Sequence, residues 1–175
     1  MSEKIAFIGI GNMGLPMVKN LVDAGKKVKV FDVSSLMIDK AKNENLNAAE
    51  NLESLIENDL SFVITMLPEG KNSEDVYLGE NGIIKKVPKN CLLIDCSTID
   101  IETSIKIGKK AKEQKIKMID APVSGGVMGA KKATLNIMVG GSKEDFKLAL
   151  PILKIMGKNI FHAGEMGCGN GAKIC

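Results

Sequence analysis

KIAFIGIGNMG, Lys4 to Gly14, decides how the rest of the chain is read. Its first seven residues are an almost unbroken apolar run, the pattern of a strand buried on both faces of a parallel sheet rather than on one. Glycines then turn the chain. Beyond them Met13, Met17, Leu21 and Ala24 recur at three- and four-residue steps, which marks one face of a helix, and Gly25 supplies its stop.

The same unit repeats with different residues. VKVFDV (Val28–Val33) is the next strand, and Ser34 or Ser35 caps a helix running to about Asn45. Leu52–Asn58 reads as helix, SFVITML (Ser61–Leu67) as strand, Asn72–Leu78 as a short helix and CLLIDCS (Cys91–Ser97) as strand. Asp100 caps a helix to about Lys112, followed by strands at Lys117–Ala121 and Leu135–Gly141. Ser142 opens a helix to about Met156, and Asn159–Gly164 is a last strand. Strands alternating with helices predict right-handed crossovers and a doubly wound, Rossmann-type α/β domain with a mostly parallel sheet covered on both faces. Such sheets bind ligands beyond the carboxyl ends of their strands. The loops after Ile10, Asp32, Leu67, Ser97 and Ala121 are therefore expected on one rim.

Bulk properties narrow the function classes. The 175 residues suffice for one domain with a real core, and 26% charged residues dispersed along the chain argue against disorder. A net charge of +3 comes from scattered lysine pairs, and aromatics make up only 3%, too few for the stacking platforms of single-stranded nucleic-acid binders. No nucleic-acid partner is expected. No apolar run reaches the length of a spanning helix, and Met1–Lys4 leads directly into the first strand, so neither a membrane nor a targeting segment is expected and the location is taken as cytoplasmic. Cys91, Cys96, Cys168 and Cys175 lack C-x-x-C spacing and His162 is the lone histidine, which supports neither a disulfide framework nor a metal site.

GIGNMG (Gly9–Gly14) fits the G-x-G-x-x-G pattern in the context its mechanism demands, after a strand and before a helix. Gly9 permits the tight turn, Gly11 removes the Cβ that would block a pyrophosphate, and Gly14 lets helix and strand pack closely. The helix N-terminus offers free N–H groups to the phosphates. Asp32, closing the second strand, suits the adenosine ribose hydroxyls and would repel a 2′-phosphate, and no arginine follows it. NAD rather than NADP is the expected cofactor.

The later rim loops are TMLPEGKN (Thr65–Asn72), DCSTID (Asp95–Asp100) and DAPVSGGVMGAKKATL (Asp120–Leu135). Each turns from a strand end into small, polar or glycine residues, as close approach of a ligand to backbone requires. In Ser124-Gly125-Gly126 a hydroxyl and successive unhindered N–H groups can hold a carboxylate. Together with TLNIMVGG and the closing G-x-x-G-x-G-x-x-x-K of Gly164–Lys173, these motifs resemble the β-hydroxyacid dehydrogenase family, most closely its 3-hydroxyisobutyrate dehydrogenases. The resemblance covers the whole chain. It implies cofactor contacts at Gly9, Gly11, Asn12, Met13, Gly14, Asp32, Leu67, Pro68, Asn72 and Thr98. It further implies a substrate site at Ser124, Gly125 and Gly126 with Thr98 beside them, and a catalytic role for Lys173. Two departures are Val18, where alanine is usual, and Ala133, where glycine often precedes Thr-Leu.

A lysine suits the chemistry so implied. It can take the hydroxyl proton of an alcohol losing hydride, and return it to a developing alkoxide. His162, inside a strand-like run, reads instead as a packed or edge residue. The activity implied is NAD-dependent oxidation of a small 3-hydroxy acid, foremost 3-hydroxyisobutyrate to methylmalonate semialdehyde. A tartronate or succinic semialdehyde reductase of the same family, or a non-catalytic NAD-binding module, is the alternative. The resemblance also implies a domain division: residues 1–164 as the dinucleotide-binding domain and 165–175 as the start of a helix. That helix would lead into an all-α second domain not contained in this sequence, with homo-oligomeric contacts in the full-length protein and little turnover by the 175 residues alone.

Overall fold

The computed structural model describes residues 3–175, so the expected lead-in at Met1 and Ser2 lies outside the described residues. In chain order the elements begin β1 (Lys4–Ile8), α1 (Gly14–Asp23), β2 (Lys27–Phe31), α2 (Ser35–Asn43), β3 (Asn47–Ala48) and α3 (Leu52–Leu55). There follow β4 (Phe62–Thr65), α4 (Gly70–Leu78), a 3-10 turn at Ile83–Lys85, β5 (Leu92–Asp95), α5 (Ile101–Glu113) and β6 (Lys117–Asp120). The last third holds β7 (Val123–Ser124), α6 (Gly126–Lys131), β8 (Leu135–Gly140), α7 (Lys143–Met156), β9 (Gly157–Gly164) and α8 (Cys168–Ile174).

One sheet contains all nine strands in the order β3-β2-β1-β4-β5-β6-β8-β7, with β9 on the other side of β8. The order reverses between β1 and β4, the switch point at which a doubly wound sheet opens a crevice. Alternation within strands sends side chains to two separate cores. Phe7, Ile64, Ile94 and Ile119 pack with Met17, Leu21, Ile152 and Leu153 on one face. Ile8, Val63, Leu93 and Met118 pack with Tyr77, Ile107 and Ala111 on the other. The strands β1, β4 and β5 are buried at nearly every position, as their continuous apolar runs require.

β8 departs from the parallel pattern: it runs antiparallel to both β6 and β7. The chain reverses at Gly125 and Gly126, whose φ values of 129° and 62° only glycine adopts freely. The following α6 has six residues, about 9 Å of rise, against roughly 20 Å for the six-residue β8, so it does not carry the chain back as a crossover helix would. A parallel crossover resumes only through α7 to β9. The expected helix at Leu52–Asn58 is limited to α3, because Ile56 already turns extended. Val18 is fully buried in α1, and Ala133 sits at φ 55°, the left-handed region in which a glycine would be unstrained. Among the described residues no helix is long and apolar enough to cross a membrane.

Candidate cofactor and substrate site

The turn after β1 shows why three glycines stand where they do. Gly9 has φ 92°, and a Cβ there would lie 2.2 Å from the Met66 carbonyl oxygen. One on Gly14 would lie 1.9 Å from the Gly9 oxygen, so α1 crosses the turn at a distance closed to any other residue. A Cβ on Gly11 would meet nothing within 4 Å. Packing therefore demands Gly9 and Gly14, whereas at Gly11 the absent Cβ leaves room in a cavity of about 570 Å³.

That cavity lies in the switch-point crevice. It is lined by Gly9, Gly11, Asn12, Met13, Gly14, Asp32, Leu67, Pro68 and Asn72, nine of the ten residues expected to touch the cofactor. Asp32 is held by backbone: Ile10 N–H donates to Oδ2 at 2.9 Å and Ser34 N–H to Oδ1 at 2.8 Å. Its carboxylate thus stands fixed beside the glycine turn. The residues fit a dinucleotide: room at Gly11, a helix start at Gly14 and an anchored acid at the end of β2. Sequence reading missed further lining residues, Phe31, Val33, Met37, Met66, Asp75 and Val76. Val76 lies four residues after Asn72 on α4, and that spacing was the available signal.

Thr98 is the tenth residue and does not line the cavity. It is exposed on the next loop, which a buried network ties to the cavity wall. Leu67 N–H donates to Ser97 Oγ at 2.8 Å, Ser97 N–H to Asp95 Oδ1 at 2.9 Å, and Thr65 Oγ1 to the same oxygen at 2.9 Å. Tyr77 closes the network through its hydroxyl, 2.7 Å from Thr65 Oγ1. Desolvation pushes the Asp95 carboxyl up, against the bonds from Ser97 and Thr65 that favour its charged form.

Ser124, Gly125 and Gly126 are exposed at the reversal between β7 and α6, outside the cavity lining. Lys173, near the end of the chain on α8, is brought to them: its Nζ donates to the Val123 carbonyl oxygen, next to Ser124. The lysine is half-buried, and burial holds its ammonium below the ordinary lysine range. His162 belongs to β9, where it stacks on Phe146 with ring centroids 4.9 Å apart and Nε2 lies 2.8 Å from the Gly141 oxygen, a packed residue on an outer strand. Sequence reading also missed a buried pair, Asp120 and Asn170, at the root of the Lys173 helix.

Known proteins resemble this chain in sequence and in fold. A 3-hydroxyisobutyrate dehydrogenase of Pseudomonas aeruginosa is 46% identical over 171 residues, covering 98% of this chain and 57% of that protein. An NAD-dependent L-serine dehydrogenase of the same organism is 40% identical over 173 residues, covering 99% and 58%. The structure of a Mycobacterium tuberculosis 3-hydroxyisobutyrate dehydrogenase with L-serine superposes with a TM-score of 0.93 at 38% identity, over 100% of this chain and 59% of that one. The chain thus spans little more than half the length of the relatives it matches. Residues 4–164 match the family described as the NAD binding domain of 6-phosphogluconate dehydrogenase, and with the glycine turn, anchored Asp32 and switch-point cavity in place, the chain belongs to that family of NAD-binding domains.

Proposed function

We propose that this chain forms the cofactor half of an NAD-dependent dehydrogenase of small 3-hydroxy acids, with 3-hydroxyisobutyrate as the foremost substrate and methylmalonate semialdehyde as product. The observation that carries the reading is the half-buried Lys173 amine set against the Val123–Ser124 strand. Lys29 and Lys89 also bond backbone carbonyls at the surface, but Lys173 differs in that burial lowers its pKa and its amine stands beside the exposed Ser124-Gly125-Gly126 turn. Asp32 and the Gly9–Gly14 turn select and seat NAD, and Leu67, Pro68, Asn72 and Thr98 flank it. Ser124, Gly125 and Gly126 receive the substrate carboxylate.

NAD supplies the hydride acceptor. With NAD bound to accept the hydride, Lys173 Nζ would take the hydroxyl proton as the alcohol is oxidised and in the reverse direction would return that proton to the alkoxide. Oxidation needs the neutral amine. Because burial lowers its pKa, the neutral form appears at lower pH than for an exposed lysine, so the oxidation rate rises with pH through a pKa below 10.5 and the reduction rate falls through it.

L-serine is the second substrate reading. It is itself a 3-hydroxy acid, and both a serine-oxidising relative and a neighbour with L-serine support it. Residues 165–175, including α8, are proposed to begin the connection to a helical domain and homo-oligomer contacts in the full-length protein, in the cytoplasm. Lys173→Ala in the full-length protein is expected to leave the NADH Kd within about twofold while kcat falls by roughly 10²–10⁴ with 3-hydroxyisobutyrate or L-serine. Retained turnover would refute the role of Lys173.

A further inference from the structure

We infer that buried Asp120 and Asn170 are positioning residues that hold the Lys173 helix against the loop carrying Thr98; the functional part of this inference rests on the dehydrogenase reading above. Asp120 ends β6 and is fully buried, and Asn170 lies in the first turn of α8 with 1% exposure. Gly167 N–H donates to Asp120 Oδ1 at 2.8 Å, and Asn170 N–H to Oδ2 at 2.8 Å. These are the N-cap and N3 amides of α8, the donors that a helix ordinarily satisfies with its own side chains. Here a carboxylate 47 and 50 residues earlier in the chain satisfies both.

Asn170 then faces two ways. Its side-chain amide donates to Asp120 Oδ2 at 3.3 Å, while its Oδ1 accepts Ile99 N–H at 3.0 Å. One side chain therefore joins β6, the start of α8 and the residue after Thr98. Two glycines make the space: a Cβ on Gly140 would stand 2.2 Å from Asp120 Oδ1, and one on Gly169 2.8 Å from Oδ2. The first turn of α8 is thus fixed at this pair. The direction in which it presents Lys173 toward Val123 and Ser124 is set by this clamp. Burial pushes the Asp120 carboxyl up, but the amides of Asn170 and Gly167 oppose it by favouring the charged form.

The test is Asp120→Asn in the full-length protein, which keeps the shape but replaces one acceptor oxygen by a donor. Losing one buried bond is expected to speed amide exchange across α8 by about tenfold or more, with α1 amides unchanged. The NADH Kd should stay within about twofold while kcat falls by about tenfold, and the same substitution in a Lys173→Ala background should cost nothing further. A merely structural residue would lower stability yet act equally with or without Lys173. Should Asp120→Asn fail to fold, Asn170→Ala, which keeps both backbone bonds to Asp120, is measured in the same way. Unchanged α8 exchange, or an equal kcat loss without Lys173, overturns the inference. A wild-type protein that oxidises no 3-hydroxy acid refutes the dehydrogenase reading instead, and the exchange rates still decide whether the pair holds α8.

Discussion

At Gly9, Gly11 and Gly14 three identical residues in one turn do different jobs, and mutation separates them. Gly14→Ala drives a Cβ into the Gly9 carbonyl and should cost about 1–3 kcal/mol or more in unfolding measurements. Gly11→Ala meets no protein atom, so its melting temperature should stay near that of the parent. Under the proposed seating of NAD its Cβ would stand where the pyrophosphate passes, and NADH affinity should then fall by about tenfold or more, a loss of about 1.4 kcal/mol per decade. Loss of stability without loss of affinity in Gly11→Ala would contradict this division. The motif alone announces all three glycines, but it does not say which serve the fold and which the ligand. For Gly9 that depends on Met66 of the neighbouring loop, and for Gly14 on how closely α1 crosses the Gly9 carbonyl.

Among the elements, two of the three expected helix caps were legible, whereas Ser34 at the start of α2 makes no side-chain cap bond. Asp100 and Ser142 cap α5 and α7 as expected, Asp100 Oδ1 accepting Thr103 N–H at 2.8 Å and Ser142 Oγ accepting Asp145 N–H at 3.0 Å. The bond from Thr103 holds the Asp100 carboxyl below its ordinary value. A depressed folded-state pKa contributes stability above the unfolded value of about 3.9 that is lost as pH falls through the folded one. Asp100→Ala should therefore cost about 1 kcal/mol at neutral pH, with the difference vanishing in denaturant titrations once pH falls below the folded pKa. Equal cost in strong acid would show that the charge is not what caps α5. The antiparallel β8 was less legible: an apolar run of strand length carries no mark of direction, since both ladder types bury the same side chains.

For the molecule as a whole, cofactor binding and folding are linked. NADH at about 100 times its Kd should raise the free energy of unfolding by about 2.7 kcal/mol, read as a shift in denaturant midpoint. NADPH at the same concentration should do less, because the Asp32 carboxylate is fixed by Ile10 and Ser34 and cannot swing away from a 2′-phosphate. An equal shift with NADPH would remove Asp32 as the basis of selectivity. The linkage also predicts where protection from exchange appears, at the Gly9–Gly14 and Leu67–Asn72 loops that line the cavity.

By itself the sequence determined the alternation of elements, the rim that carries the loops, the glycine turn and Asp32. These follow from constraints acting over a few residues: the period of burial, the conformational freedom of glycine and a carboxylate at a strand end. The tertiary structure alone decided the direction of β8, the apolar walls of the cavity and the Asp120–Asn170 clamp. Each of these depends on residues that meet only after the sheet is assembled. Asp120 and Asn170, 50 positions apart, have no local pattern that distinguishes them from surface residues. Their role arises because two glycines let a strand end and a helix start approach until one carboxylate serves both, in a place water cannot reach.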